Sequence, residues 1–230
     1  MYKMEFAFHI RKSLFFPYLL AFKEYMRGRR SRDLSQFGEH EIISKLIPNS
    51  PGSYLDIGSG RPVSGSNTYA LYKMGWSGIL VDPIKVNIVS SKLIRSRDRC
   101  FNAIVGNVGK TTFYEFFPYQ FSTTSLDVAK NVLMENEWVQ FVRQYSVLGE
   151  SAAYFYEKVP PRQFVFVNID AEGFDFEVLL SLNLNVNRPN LICIEDWGFE
   201  KSGRSRISDL LLSHGYTLVD QSGPSFFYMK

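Results

Sequence analysis

The chain has 230 residues, of which 45% are hydrophobic and 21% charged, and this composition suits one globular domain with a sizeable core. The net charge is +3, but residues 1–32 hold eight Lys/Arg against two acids, so the remaining residues carry a net −3. That balance argues against nucleic-acid binding by the body of the protein, and the three scattered histidines show no zinc-ligand spacing. We therefore expect a basic helical arm, residues 1–32, and a globular domain, residues 33–230.

The arm contains an apolar run, residues 14–22 (LFFPYLLAF), flanked by positive charge. This run is shorter than the roughly 20 apolar residues that span a bilayer, and no small-x-small cleavage site follows it, which argues against a signal peptide. A helix that packs on the body or on a second subunit is the favoured prediction, and an interfacial anchor on an anionic membrane is the alternative. Residues 27–32 (RGRRSR) predict a hinge between arm and body.

Beyond the arm, segments typical of strands and helices alternate. Strands are predicted at residues 53–57, 78–81, 100–105, 111–117, 164–169, 191–194, 216–219 and 225–229. Helices are predicted at residues 67–74, 84–96, 127–145, 174–182 and 205–213. The alternation indicates an α/β layer fold with a mostly parallel sheet, whose last two strands are close enough in sequence to pair only antiparallel. Both cysteines, Cys100 and Cys193, fall in apolar runs, which favours buried free thiols and a reducing, cytoplasmic compartment.

A glycine loop follows the first predicted strand, and ligands of parallel sheets bind at such strand ends. The dinucleotide pattern G-x-G-x-x-G fails there, because its third glycine is replaced by Val63. The carboxylate of Asp56 would repel a pyrophosphate, whereas it would attract the sulfonium and ammonium groups of S-adenosylmethionine. We therefore predict that Gly58 and Gly60 let the backbone approach this cofactor, and that Asp56 engages its ammonium end directly or through water.

The ends of the next two strands extend this prediction. Asp82 ends the second strand, 26 residues after Asp56, and can accept hydrogen bonds from both ribose hydroxyls. The competing interpretation is a helix N-cap before Pro83. Asn102 and Ala103, on the third strand, are predicted to lie along the edge of the adenine.

A second glycine-rich segment, residues 106–112 (GNVGKTT), contains Gly-Lys-Thr but is not a phosphate-binding loop. The full pattern requires glycine at position 104, which is Ile104, and the segment leads into an alternating strand where a helix N-terminus would be needed. We predict a hairpin turn.

The ordered set of motifs resembles the FkbM-type methyltransferases, a branch of the S-adenosylmethionine-dependent Rossmann-like enzymes, over about residues 35–220. The matching pieces are residues 35–39 (SQFGE), 54–60 (YLDIGSG), 66–69 (SNTY), 75–83 (GWSGILVDP), 102–103 with Gly109, 124–126 (TSL), 168–173 (NIDAEG) with Leu179, and 194–195. The resemblance implies a class I methyltransferase fold, with a seven-stranded, mostly parallel sheet and an antiparallel terminal hairpin. It also implies methyl transfer, usually to oxygen, on sugars of surface glycans or on secondary metabolites.

Gln36 lies upstream of the sheet, in a segment that can close over the cofactor in a fold of this kind. It is therefore a candidate cofactor contact. The alternative is that Gln36 caps the helix that contains Ile42, Ile43 and Leu46.

The stretch 167–176 (VNIDAEGFDF) places two carboxylates at the end of a predicted strand. If the backbone stays extended, Asp170 and Glu172 share a face, and Glu195 ends the neighbouring strand. Three carboxylates could bind Mg²⁺ or Ca²⁺, or one could act as a base whose pKa the others raise. The alternative for Glu172 is a structural role in the first turn of the following helix.

The leading hypothesis is an S-adenosylmethionine-dependent O-methyltransferase that acts on a saccharide or another small hydroxyl acceptor. Part of the acceptor pocket is predicted from the aromatic residues of segment 118–160, which are Phe121, Phe141, Tyr145, Tyr154, Phe155 and Tyr156. The alternatives are a NAD-type oxidoreductase and a non-catalytic binding module on a methyltransferase scaffold. Neither the body's charge nor its motifs predict a nucleic-acid partner.

Overall fold

The computed structural model describes residue 13, residues 15–30 and residues 35–230. The strands are β1 (Ser53–Ile57), β2 (Ser77–Asp82), β3 (Arg99–Val105), β4 (Gly109–Phe117), β5 (Gln140–Glu150), β6 (Val165–Ile169), β7 (Leu191–Glu195), β8 (Thr217–Ser222) and β9 (Ser225–Met229). The helices are α1 (Phe16–Arg30), α2 (Glu39–Leu46), α3 (Tyr69–Lys73), α4 (Lys85–Ile94), α5 (Leu126–Glu135), α6 (Ala152–Tyr156), α7 (Asp175–Ser181), α8 (Trp197–Ser202) and α9 (Arg206–Ser213), with a short 3-10 helix at Tyr119–Phe121.

The strands form one sheet in the order β4-β5-β3-β2-β1-β6-β7-β9-β8. The run from β5 to β7 is parallel, whereas β4 pairs antiparallel with β5, and β9 pairs antiparallel with both β7 and β8. The predicted α/β class, mostly parallel sheet and antiparallel terminal hairpin are therefore confirmed. The predicted count of seven strands is wrong, because the described part of the chain contributes nine.

The two outer strands at the β4 edge account for the difference. The predicted helix at residues 127–145 ends at Glu135, and Gln140–Glu150 forms β5, which pairs with β4 along its whole length. The apolar residues Val132, Trp138 and Val142 follow a rough helical stripe, but Val142 lies in β5, where its side chain is buried. Because β5 inserts between β3 and β4, the predicted hairpin at residues 106–112 is also wrong: the segment turns, but the strands it joins are not neighbours.

The central strands are covered on both faces. Along β1, Leu55 packs with Val167 and the residues of α6, α7 and α9 on one side. Tyr54 packs with Trp76 and with Ile43 of α2 on the other. Burial of alternate side chains on opposite faces explains why these strands read as continuous apolar runs. Cys193 is a buried free thiol as predicted, whereas Cys100 is only half-buried.

Helix α1 packs on the body, as the favoured prediction for the arm requires. Leu20 joins a small core with Ile84 and Val86, and the hydroxyl of Ser90 donates a hydrogen bond to the Pro17 carbonyl at 3.0 Å. The predicted hinge is wrong for residues 27–30, which are helical. Residues 1–12, 14 and 31–34 lie outside the described residues, and none of the described helices is long and apolar enough to cross a membrane.

Candidate functional site

Four parallel strands bring their carboxyl ends to one edge of the sheet. The amide of Gly58, after β1, donates to Val81 of β2 at 2.9 Å, and the amide of Asp170, after β6, donates to Ile57 of β1 at 3.0 Å. Glu195 ends β7, next to β6. The predicted ends of β1, β2, β6 and β7 are therefore confirmed, and the acidic residues at these ends lie along one edge of the sheet.

Two glycines of the loop after β1 have different roles. A Cβ on Gly58 would lie 1.7 Å from the carbonyl oxygen of Asp170, so this glycine admits the end of β6 where the sequence analysis expected a cofactor. Gly60 also has a positive φ of 57°, but the nearest atom to a Cβ there would be 3.9 Å away. The amide of Gly60 donates to Asp82 at 2.8 Å, which ties the loop to the end of β2.

We expect Gly58→Ala to abolish cofactor binding and to lower the thermal midpoint. The added methyl group must displace the Asp170 carbonyl, and alanine is also strained at a φ of 72°. Gly65→Ala is the matched control, since Gly65 has a φ of 74° and nothing within 4 Å of a Cβ, so it carries the strain without the clash. Thermal melts with S-adenosylhomocysteine measure both effects. Equal thermal midpoints and equal cofactor binding in the two variants would contradict the close approach of Gly58 to the Asp170 carbonyl.

Asp56 is almost completely buried beneath the loop. Its carboxylate accepts hydrogen bonds from the Thr68 hydroxyl at 2.5 Å and from the Asn168 amide at 2.9 Å. Burial raises the pKa of Asp56, while the positive charge of Arg95 and these two hydrogen bonds lower it. Asp56 therefore joins β1, β6 and the glycine loop, and its predicted contact with the ammonium group stays a prediction.

Arg95 forms a buried cationic centre below the same loop. It is 0% exposed and donates to Asp98 at 2.7 Å, to Tyr54 at 2.9 Å and to Thr68 at 2.8 Å. Arg95 therefore positions Thr68, whose hydroxyl donates a hydrogen bond to Asp56. Arg95 was not predicted from the sequence, although an Arg and an Asp three positions apart at the end of an apolar helix indicate an internal ion pair.

Two buried polar atoms of the loop lack partners. Within the described part of the chain, neither Ser59 Oγ nor Asn67 Oδ1 has a hydrogen-bond partner, and Ser59 is only 7% exposed. The helix predicted from residue 67 has Thr68 as its N-cap, and the Asn67 amide donates to Asn168 at 3.0 Å. Because buried polar groups are normally paired, these orphaned oxygens favour a polar ligand at this edge.

Asp82 contacts both the glycine loop and the start of α4. Its carboxylate accepts from the backbone amides of Gly60 at 2.8 Å and Ile84 at 2.6 Å, with the Asn87 amide at 3.3 Å. Burial raises its pKa to about 7, and the Ile84 and Gly60 hydrogen bonds oppose that shift. The N-cap of α4 is Ile84, so the N-cap interpretation of Asp82 is wrong. A carboxylate offers about four acceptor positions, which leaves capacity for a ribose hydroxyl.

The third strand ends at the same edge of the sheet. Asn102 pairs with Asp82 in the sheet register, and its amide donates to the carbonyls of Asp82 at 3.0 Å and Pro83 at 2.7 Å. Ala103 is buried in the core. Tyr145 of β5 also donates to the Pro83 carbonyl, at 2.6 Å, so the misassigned strand contributes to this edge. The predicted adenine contacts of Asn102 and Ala103 stay predictions.

Gln36 is exposed in a segment anchored to the β8–β9 turn. Glu39 accepts the Phe37 amide at 2.7 Å, and the hydroxyls of Ser222 and Ser225 donate to Phe37 and Glu39 at 2.5 and 3.3 Å. The N-cap of α2 is Gly38, so the alternative of Gln36 as a cap is wrong. Its role as a cofactor contact stays a prediction.

The predicted aromatic acceptor residues have separate locations. Phe155 is 1% exposed in the core, where it packs against Phe101. Phe121 stacks edge-on against Trp138 in the outer layer near α5. Tyr145 reaches the strand-end edge through its bond to Pro83. The acceptor pocket predicted from residues 118–160 stays a prediction, with Tyr145 as its best-placed member.

The chain turns sharply after Asp170. Glu172 has a φ of 50° and Gly173 a φ of 94°, so the extended backbone that would put Asp170 and Glu172 on one face does not form. Helix α7 begins at Asp175, whose carboxylate accepts the amides of Ala171 at 2.8 Å and Gly173 at 3.1 Å. The acids in the first turn of α7 are Asp175 and Glu177. Because Glu172 lies before the helix, its predicted alternative role in that turn is also wrong.

Negative charge is concentrated around Asp170. Burial raises its pKa well above the ordinary value, and the charges of Glu195, Glu172 and Asp175 raise it further. Burial, with Asp175 and Glu172, raises the pKa of Glu195 to about 7, opposed by a hydrogen bond from the Trp197 ring nitrogen at 3.3 Å. Among the described residues, none donates a hydrogen bond to the Asp170 carboxylate, which therefore remains free to accept a proton.

These acids do not form the predicted metal site. The described residues contain no group of three or more His, Cys, Asp or Glu side chains placed to hold a metal ion. The turn at Glu172 separates it from Asp170, and Asp175 is occupied by backbone amides. The assignment of Asp170, Glu172 and Glu195 as Mg²⁺ or Ca²⁺ ligands is therefore not supported.

A comparison with known proteins identifies the family of this chain. The family model described as the methyltransferase FkbM domain matches residues 56–218, which run from Asp56 through the glycine loop and the strand-end acids into β8. No curated protein and no solved structure matches significantly.

Proposed function

Because the chain belongs to the FkbM methyltransferase family, we propose that it transfers a methyl group from S-adenosylmethionine to a hydroxyl oxygen of a saccharide or similar small acceptor. One observation carries the proposal. The strand-end edge combines orphaned buried oxygens on Ser59 and Asn67 with an Asp170 carboxylate that has no donor among the described residues. A polar ligand beside an unengaged base is the arrangement that group transfer to a hydroxyl requires.

The residues at this edge fit the cofactor. Asp82 would hold the ribose hydroxyls, Asn102 and Ala103 would border the adenine, and Ser59 and Asn67 would hydrogen-bond the polar methionine end. Gln36 would approach from the segment anchored by Glu39. The bound cofactor supplies an electrophilic methyl carbon on a positive sulfur, and the surrounding carboxylates favour that positive charge.

Asp170 is the proposed general base. Its carboxylate would accept the proton of the acceptor hydroxyl when that hydroxyl takes the methyl group that a bound cofactor would supply. Its raised pKa makes it a stronger base than an ordinary carboxylate. Glu195 and Glu172 maintain that basicity through their negative charge, so their part in catalysis is electrostatic.

The surroundings of Glu195 support a neutral or cationic acceptor. Trp197 is 53% exposed and its ring nitrogen is fixed on Glu195, which leaves an aromatic face beside a carboxylate. Sugar rings stack on such faces and hydrogen-bond to such carboxylates. A phosphorylated or carboxylated acceptor would meet the charges of Glu172, Asp175 and Glu195 and be repelled.

Transfer of a labelled methyl group from S-adenosylmethionine to a panel of acceptors tests the proposal. The panel pairs neutral glycans and polyhydroxylated metabolites with their phosphorylated forms. We expect labelled neutral products, suppressed by S-adenosylhomocysteine. Binding of S-adenosylhomocysteine without any transfer would instead favour a non-catalytic module on this scaffold.

The NAD-type oxidoreductase has no observation in its favour. Val63, at the position of the third dinucleotide glycine, is fully buried against Tyr69. The Asp56 carboxylate lies buried beneath the loop, and its negative charge would disfavour a pyrophosphate there. Stabilisation by NAD but not by S-adenosylhomocysteine in a thermal-shift assay would overturn our assignment.

A further inference from the structure

Helix α1 presents an aromatic and apolar face to solvent. We name this the arm face. It consists of Phe15, directly before the helix, and of four residues within it that continue the same side, Tyr18, Leu19, Phe22 and Tyr25, and all five side chains are 49% to 75% exposed. Their spacing of three and four positions places them along one side of the helix. An amphipathic surface helix normally directs its apolar side to the core and polar side chains to water, and here the outward side is apolar as well.

The opposite side of α1 already serves as its core side. Leu20 and Ala21 are buried, and Glu24 is 0% exposed, with its carboxylate accepting the Ser64 amide at 2.7 Å and the Ser64 hydroxyl at 2.9 Å. A Cβ on Gly28 would lie 2.6 Å from the Tyr69 hydroxyl, so the helix crosses α3 closely. The rotation of α1 is therefore fixed, and the arm face cannot turn inward without breaking these contacts.

The exposed charges of α1 are all positive. Lys23, Arg27, Arg29 and Arg30 are exposed, and the one acid of the helix, Glu24, is buried. The first turn of the helix contains no acid. Exposed rings with adjacent cations are complementary to an anionic lipid surface, where rings enter the head-group layer and cations approach phosphates.

A second copy of the chain fits this face poorly. Parallel pairing of two α1 helices would bring Arg27, Arg29 and Arg30 against the same cations of the partner copy. Antiparallel pairing would bring them to a first turn without a compensating acid. A 15-residue helix is also only about 22 Å long, which is short for the area of a stable dimer interface.

We propose that α1 is an interfacial helix that binds the protein to anionic lipid surfaces through the arm face and its flanking cations. The proposal is independent of the methyl-transfer reaction. Because Glu24 and Ser64 hold α1 against the glycine loop, the body attaches to the surface in one orientation.

Vesicle flotation of the full chain tests the proposal, with phosphatidylcholine alone or mixed with phosphatidylserine. Truncation of residues 1–32 would strip α4 of its cover, so substitutions are the better probe. We expect flotation with the anionic vesicles and about tenfold weaker binding for Phe22→Ser and for Arg29→Glu. Val108→Ser and Val186→Ser are matched controls, since both valines are exposed outside α1 and should not alter flotation.

The outcomes separate lipid binding from the other occupants. Added salt should release the protein from the anionic vesicles. Absence of flotation, equal flotation with neutral vesicles, or equal loss in the valine controls would overturn the proposal. So would a dimer in sedimentation that Phe22→Ser dissociates, because a second copy would then occupy the arm face. Unchanged circular dichroism shows that each variant is folded.

Discussion

Replacing Asp170 by Asn is expected to reduce methyl transfer by about 10²- to 10⁴-fold, the range for loss of a general base. The amide keeps the size of the side chain but cannot accept the proton of the acceptor hydroxyl. Binding of S-adenosylhomocysteine should remain, because the proposed cofactor contacts in the glycine loop and Asp82 do not depend on the Asp170 side chain. These two parts of the site are joined by the hydrogen bond from the Gly60 amide to Asp82. Single-turnover transfer and calorimetric binding measure the two quantities separately.

Glu177→Gln is the control for charge alone, since Glu177 is an exposed acid in the first turn of α7. It should leave transfer unchanged. The pH profile gives a second check: the pKa of Asp170 is raised, and the active form is the deprotonated one, so the rate should be lost as pH falls through that raised pKa. Asp170→Asn should flatten this limb. Normal turnover by Asp170→Asn would remove Asp170 from the catalytic assignment.

Replacing Arg95 by Met is expected to lower the free energy of unfolding by about 3–5 kcal/mol, the cost of leaving one member of a buried ion pair without its partner. Arg95 and Asp98 both have 0% exposed side chains, and their atoms lie 2.7 Å apart. Methionine has a similar length, so the loss would reflect charge and hydrogen bonds more than volume. Urea denaturation monitored by tryptophan fluorescence measures the change.

Arg97→Met is the matched control, because Arg97 is exposed and lies over the Tyr72 ring at the surface. It should cost less than about 1 kcal/mol. In addition, Arg95→Met should weaken cofactor binding even where it is folded, because Thr68 loses the partner that positions it against Asp56. Equal unfolding energies for the two variants would show that the buried cation does not stabilise the loop.

The central strands and their terminal acids were predictable because each signal is local. Apolar runs buried on both faces end at a polar residue, and parallel strands end at a common edge, which is sufficient to bring Asp56, Asp82 and Asp170 together. The prediction of a helix over the β5 segment was wrong because the deciding contact is not local. The apolar spacing of this segment is compatible with a helix, and it forms a strand because it pairs with β4, which is distant in the sequence.

The missed site residues depend on contacts between remote parts of the chain. Arg95 reaches Tyr54 across 41 positions, and Glu24 reaches Ser64 across 40. Gly58 was predicted to let the backbone approach a cofactor, and the atom closest to a Cβ there in the structure is the carbonyl oxygen of Asp170. The metal prediction required an extended chain through Glu172, and its positive φ is a consequence of the turn that Asp175 stabilises with its carboxylate.

Calorimetric titration of S-adenosylhomocysteine into the wild-type protein and the Asp82→Ala variant tests whether the strand-end edge binds this cofactor. We predict one site per chain in the wild type, about tenfold or greater weakening in Asp82→Ala, and no heat with NAD. The variant's circular dichroism reports whether the loop stays folded, since Asp82 also accepts the Gly60 amide. Absence of binding to the wild type, or unchanged affinity in a folded Asp82→Ala variant, would show that the strand-end edge is not the cofactor site.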